Sequence, residues 1–183
     1  MDLLTDEQTA YAKGRLIKAL DAYDWKLGTG FLSTPFILDV LSNIDPEYAY
    51  KLLENEKMPG WLYMAKNNTG TIWEGWEGPN AQAGIASLNH YSKGAMVEWL
   101  FSGMLGIRID GENHFAIRPI VGGHIAYAKG SYRSIYGEIK SSWERVGDKV
   151  KYHFEIPANT TADLYLKDEH YTLTSGVYDY ERS

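Results

Sequence analysis

The chain has 183 residues, 44% hydrophobic and 23% charged, the balance of a globular protein rather than a disordered or fibrous one. A net charge of −6 without any Lys/Arg block excludes the electrostatic footprint of nucleic-acid binding, and the apolar runs fall short of a membrane span. With no cysteine there is neither a disulfide nor thiolate chemistry.

Residues 3–20 read as a helix that Gly14 interrupts. Thr34-Pro35 suits a helix start, and Phe36, Ile37, Val40, Leu41 and Ile44 follow at the spacing of one helical face. Asp45-Pro46 restarts the chain into a second helix carrying Tyr48, Leu52 and Leu53. A third helix is expected from about His90 to Ile107, with Tyr91, Ala95, Trp99, Leu100, Met104 and Ile107 on one side and Asn89 as its N-cap.

After Arg108 the apolar period becomes two. Ile139, Ser141 and Trp143 alternate with Lys140, Ser142 and Glu144. Val150, Tyr152, Phe154 and Ile156 alternate with Lys151, His153 and Glu155 until Pro157 ends the strand. Gly122-Gly123, Tyr136-Gly137 and Gly147-Asp148 mark the turns. Helices first and strands afterwards predict an α+β chain of two units, helical over 1–108 and an antiparallel β-sandwich over 109–183.

Between the strong helical patterns lies Gly70-Thr71-Ile72-Trp73-Glu74-Gly75-Trp76-Glu77-Gly78-Pro79, two Trp and two Glu among four helix breakers. It is too glycine-rich for a helix and too aromatic for an ordinary surface turn. A carboxylate flanked by indoles loses hydration, which disfavours its charged form and suits it to general-base work. The plainer reading has the indoles anchoring the loop and the carboxylates facing water. Six Trp and fourteen Tyr in one short chain are consistent with either, since rings fill cores and also stack on the C–H faces of sugars.

Several fragments together are more specific. Gly28-Thr29-Gly30-Phe31-Leu32-Ser33-Thr34-Pro35, Pro59-Gly60-Trp61-Leu62-Tyr63-Met64, Thr71-Ile72-Trp73-Glu74-Gly75-Trp76 and Ser87-Leu88-Asn89-His90-Tyr91 occur in that order. Phe115-Ala116-Ile117-Arg118-Pro119, Ser141-Ser142-Trp143 and Ile156-Pro157-Ala158-Asn159-Thr160-Thr161 follow. This series resembles the bacterial α-L-rhamnosidases, inverting glycoside hydrolases with an (α/α)6 toroid and a C-terminal β-sandwich. The resemblance implies that 1–108 are the last helices of a toroid and 109–183 the sandwich. It implies that Glu74 is the general base, that His90 contacts the rhamnosyl hydroxyls, and that Trp73 and Trp76 wall the sugar. For His90 a helix N-terminus would favour a neutral ring able both to donate and to accept.

The departures bear on activity. Gly75 stands where relatives usually have Arg, Glu77 where Asp is common, and the stretch from Glu74 to His90 is short. The acidic, Arg-containing motif that supplies the family's general acid has no counterpart in the chain. The expectation is therefore the C-terminal part of an α-L-rhamnosidase, inactive alone, whose partners are a rhamnosyl glycoside and the missing N-terminal part of the same enzyme. A non-catalytic carbohydrate-binding remnant and a purely structural piece remain as alternatives. Neither cofactor nor metal is expected, and nucleic acid and membrane are not expected as partners. Exposed helix faces of an incomplete toroid would make a homo-oligomer possible, and the lack of a leader pattern suggests a cytoplasmic location.

Overall fold

The computed structural model describes residues 3–67, 70–75, 77–80 and 86–183. The chain folds as two compact units, Met1–Met96 and Val97–Ser183.

In the first unit, α1 (Asp6–Ala22) begins at a reciprocal cap. The Thr5 hydroxyl accepts from the Gln8 amide at 3.2 Å, and the Gln8 side chain accepts from the Thr5 amide at 2.9 Å. The helix runs through Gly14 without a break. A glycine costs about 1 kcal/mol in a helix interior, which seventeen residues and a satisfied start absorb. Along α1 only Leu20 is buried.

A 3₁₀ turn at Thr34–Phe36 precedes α2 (Ile37–Ser42). That turn advances about 120° per residue instead of 100°, so Phe36 falls out of phase with the helix after it. Ile37, Leu38 and Leu41 are buried, while Phe36 and Val40, expected on the same face, are exposed. The side chain of Asp45 caps α3 (Pro46–Leu53) through the Glu47 amide, and α3 buries Ala49, Tyr50, Leu52 and Leu53. The sequence pattern did not single out α4 (Trp61–Lys66) as a helix. It follows Gly60, where a Cβ would lie 2.7 Å from the Lys57 carbonyl oxygen and 2.9 Å from that of Asn55. Only glycine lets the backbone approach so closely. The single turn α5 (Tyr91–Gly94) closes the unit.

The continuous helix expected from His90 to Ile107 is therefore three pieces. After α5 come α6 (Val97–Trp99) and a π-helical stretch, Leu100–Met104. The wide π turn lets the fully buried Trp99 lie across Gly103, where a Cβ would meet the indole nitrogen at 2.5 Å. The cap also moves by one residue: His90, not Asn89, stands at the N-cap of α5.

The second unit continues as eight strands: β1 (Ile107–Ile109), β2 (His114–Ile117), β3 (Tyr127–Ser134), β4 (Gly137–Val146), β5 (Lys149–Ile156), β6 (Thr161–Leu166), β7 (Glu169–Leu173) and β8 (Gly176–Arg182). They form two four-stranded sheets, ordered β1-β2-β6-β7 and β3-β4-β5-β8. Pairing is antiparallel except between β2 and β6, which run parallel with His114 opposite Thr161. That exception follows from the chain path: β3, β4 and β5 form the other sheet before the chain returns beside β2. The expected alternation holds. Ile139, Ser141 and Trp143 of β4 point inward with Tyr152, Phe154 and Ile156 of β5, and Phe115, Ile117 and Leu164 fill the inner face of the other sheet. Two buried polar groups in this core are satisfied by the end of the π turn. The Trp143 indole donates to the Met104 carbonyl at 2.8 Å, and the Ser141 hydroxyl to that of Leu105 at 2.7 Å.

Candidate active site

The candidate residues Glu74 and His90 sit on two segments held side by side. The Glu74 amide donates to the Ser87 carbonyl and the His90 amide to the Ile72 carbonyl, both at 2.8 Å. These bonds bring Glu74 and His90 into one small region although sixteen positions separate them. The Ser87 amide in turn donates to Glu74 Oε2 at 2.8 Å, so the half-buried carboxylate is oriented by backbone rather than left to rotate in water. Ser87 is itself locked. Its hydroxyl accepts from the Asn89 amide and lies 3.0 Å from the Asn89 carbonyl oxygen.

Trp73 anchors the loop from beneath. It is 2% exposed, its amide faces Met64 Sδ at 3.4 Å, and the Tyr63 ring meets it edge-on at 6.3 Å. Gly78, at φ +58°, passes so close over the indole that a Cβ would lie 2.3 Å from ring carbons. The preceding residue but one, Trp76, lies outside the described residues. Glu77 is exposed.

His90 is half-buried, and its ring stacks on Tyr91 with centroids 5.7 Å apart and planes 6° apart. Phe31, about half exposed, approaches from the Gly28–Pro35 segment at 6.2 Å. The Nδ1 atom of His90 is buried and has no hydrogen-bond partner among the described residues. The helix that follows is only four residues long, too short for the dipole expected to act on His90.

A neighbour escaped the sequence reading. Lys93, three residues after His90, is 4% exposed, and its ammonium donates to the Thr29 carbonyl at 2.8 Å. Its own carbonyl accepts from the Trp61 indole at 2.9 Å. Burial pushes the Lys93 ammonium below the ordinary lysine value, and the negative charge of Glu74 opposes that shift. Among the described residues, no group of three or more His, Asp or Glu side chains is arranged to hold a metal ion. No helix among them is long and apolar enough to cross a membrane.

Comparison with known proteins gives this arrangement its class. Residues 1–104 match the bacterial alpha-L-rhamnosidase 6 hairpin glycosidase domain. Residues 108–181 match the bacterial alpha-L-rhamnosidase C-terminal domain. The fold is thus that of a six-hairpin glycosidase with its C-terminal β domain. The chain belongs to the bacterial α-L-rhamnosidase family.

An alpha-L-rhamnosidase of Streptomyces avermitilis is 32% identical over 178 residues, covering 93% of this chain and 17% of the relative. One from Formosa agariphila is 35% identical over 173 residues, covering 90% and 19%. Among solved structures, the Streptomyces avermitilis alpha-L-rhamnosidase complexed with L-rhamnose superimposes with a TM-score of 0.91 at 27% identity, covering all of this chain and 20% of that one. Native rhamnosidase from Aspergillus terreus gives 0.90 at 28% identity, covering 97% and 22%. The chain spans about a fifth of the length of these relatives.

Proposed function

We propose that this chain supplies the general-base side of an α-L-rhamnosidase active site, whose general acid comes from the rest of the enzyme. Hydrolysis of a terminal, non-reducing α-L-rhamnosyl bond with inversion needs two carboxyl groups about 6.5–9.5 Å apart, one protonated and one ionised. Glu74 is the base in this reading. It takes the proton of the water that attacks the anomeric carbon on the face opposite the leaving group. In this reading His90 hydrogen-bonds the rhamnosyl hydroxyls. The same reading takes Trp73 and Trp76 as candidates for the wall around the sugar. The observation that carries the reading is the pairing of Ile72–Glu74 with Ser87–His90, which delivers an oriented carboxylate and an imidazole to one place.

In this reading residues 1–108 are toroid helices and 109–183 the sandwich. The chain alone lacks the acid and is inactive. Glu77 cannot replace it, because it lies three positions from Glu74 on the same loop and would address the same side of the sugar. Cytoplasmic location belongs to the proposal too.

The reading is tested in an enzyme made whole by grafting residues 1–183 in place of the matching segment of the Streptomyces avermitilis relative. Glu74→Gln keeps size and hydrogen-bonding atoms but cannot accept the proton, so kcat should fall by roughly 10²–10⁴-fold with KM nearly unchanged. His90→Ala should raise KM as well as lower kcat, at about 1–3 kcal/mol. Glu77→Gln should stay within a few-fold of the parent. If Glu77→Gln is damaging and Glu74→Gln silent, Glu77 is the base.

A further inference from the structure

The outward face of the β3-β4-β5-β8 sheet carries its polar side chains in registered rows. Lys129, Ser142, His153 and Asp179 stand opposite one another across the four strands. On one side of that row lie Ser131, Lys140 and Glu155, and on the other Tyr127, Glu144 and Lys151. Side chains alternate along a strand, so all of these face away from the core that Ile139, Trp143 and Phe154 fill. Two troughs open on this face, of about 380 Å³ and about 580 Å³, and Lys129, Ser142 and His153 line both. The room comes from short residues, Gly130, Ser131 and Ser142, set among longer ones. Across four strands the row spans roughly 14 Å, at about 4.8 Å per strand.

The chemistry of the face narrows what it can hold. Its charges alternate in sign: Lys140 pairs with Glu155 at 3.0 Å, and His153 lies between Asp179 at 2.8 Å and Glu155 at 3.4 Å. Such a pattern favours neither a polyanion nor a polycation. A protein partner needs a desolvated, apolar centre with aromatic anchors, and the centre here is Ser142. A ligand dense in hydroxyls matches, because each hydroxyl both donates and accepts, and donors and acceptors interleave along these rows. Tyr127, 68% exposed on the edge strand β3, offers an aromatic face for the C–H groups of a sugar ring. The bonds among Lys140, Glu155, His153 and Asp179 hold those side chains before anything binds, which lowers the cost of ordering them.

We propose that this face is a second, non-catalytic saccharide site, which takes a neutral glycan chain of more than one ring across Ser142 and stacks one ring on Tyr127. The site stands apart from the assignment of Glu74, and only the choice of rhamnose as the sugar rests on the proposed function. Isothermal titration calorimetry with a linear α-L-rhamnan tetrasaccharide tests it. The 183-residue chain carries His90→Ala throughout, so that the candidate active site does not account for the binding. Ser142→Tyr fills the trough from a strand position that suits tyrosine and should weaken binding by about tenfold or more. Tyr127→Ala should weaken it by about threefold or more, and decides the matter if the first variant misfolds. A tetragalacturonate, of equal length but anionic, should bind more weakly than the rhamnan. No binding of the rhamnan, unchanged affinity in both variants, or tighter binding of the tetragalacturonate overturns the proposal. Turnover by the grafted enzyme does not depend on these results, so their failure leaves the role of Glu74 to its own test.

Discussion

Gly78 shows how one residue governs the candidate loop. Its φ of +58° is left-handed, and the Trp73 ring occupies the place of its Cβ. Gly78→Ala should therefore destabilise the chain by about 1–3 kcal/mol, combining backbone strain with the displaced indole. Urea denaturation followed by tryptophan fluorescence measures this, and an unchanged midpoint would mean the loop yields freely. Short motifs in a fixed order singled out Glu74 and His90 as candidates, and backbone bonds bring their segments together. Lys93 was not singled out. A lysine at helical spacing reads as a solvated side chain, and its burial depends on a carbonyl 64 positions away. The packing of Trp73 was open on sequence grounds, since an indole beside a carboxylate suits a sugar wall and a loop anchor equally.

At the scale of elements, period-two patterning settled the strands and helical periodicity was less exact. The β4 and β5 alternation survived because the sheets bury one face throughout. The helices shifted where local geometry changed the angular step, at the 3₁₀ turn before α2 and at the π turn after Trp99. No apolar pattern encodes the pairing of β2 with β6, because both strands are apolar on the same face whichever way they run.

One cross-strand cluster makes stability depend on pH. His153 of β5 faces Asp179 of β8, Nδ1 to Oδ1 at 2.8 Å, and Glu155 at 3.4 Å. The hydrogen bond to Asp179, helped by that to Glu155, raises the His153 value above its ordinary 6.5. A raised histidine contributes its full stability below the unfolded value and loses it as pH rises through the folded one. Thermal midpoints should thus decline from about pH 6.5 upward in the parent, and His153→Gln should flatten that decline. An identical slope in both proteins would show that the cluster is idle. The imidazole is 41% exposed, so solvent screening keeps the effect modest.

Taken as a molecule, the chain leaves much apolar surface uncovered in its first unit. Leu3, Leu4, Tyr11, Phe31, Leu32 and Phe36 are all more than half exposed, and α1 buries a single side chain. Relatives about five times longer carry much more protein that could cover such faces. Alone, the chain should self-associate in sedimentation velocity as concentration rises, and Leu4→Glu with Tyr11→Glu should reduce that association. A monomer at every concentration would show that these side chains are tolerated in water. In the proposed function this chain holds one carboxylate of a two-carboxylate site. The most direct test is hydrolysis of p-nitrophenyl α-L-rhamnoside by the pure 183-residue chain, by its Glu74→Gln variant and by the grafted enzyme. No turnover by the chain above its variant, and clear turnover by the graft, are expected. Turnover by the isolated parent chain above the Glu74→Gln control would contradict the proposed function.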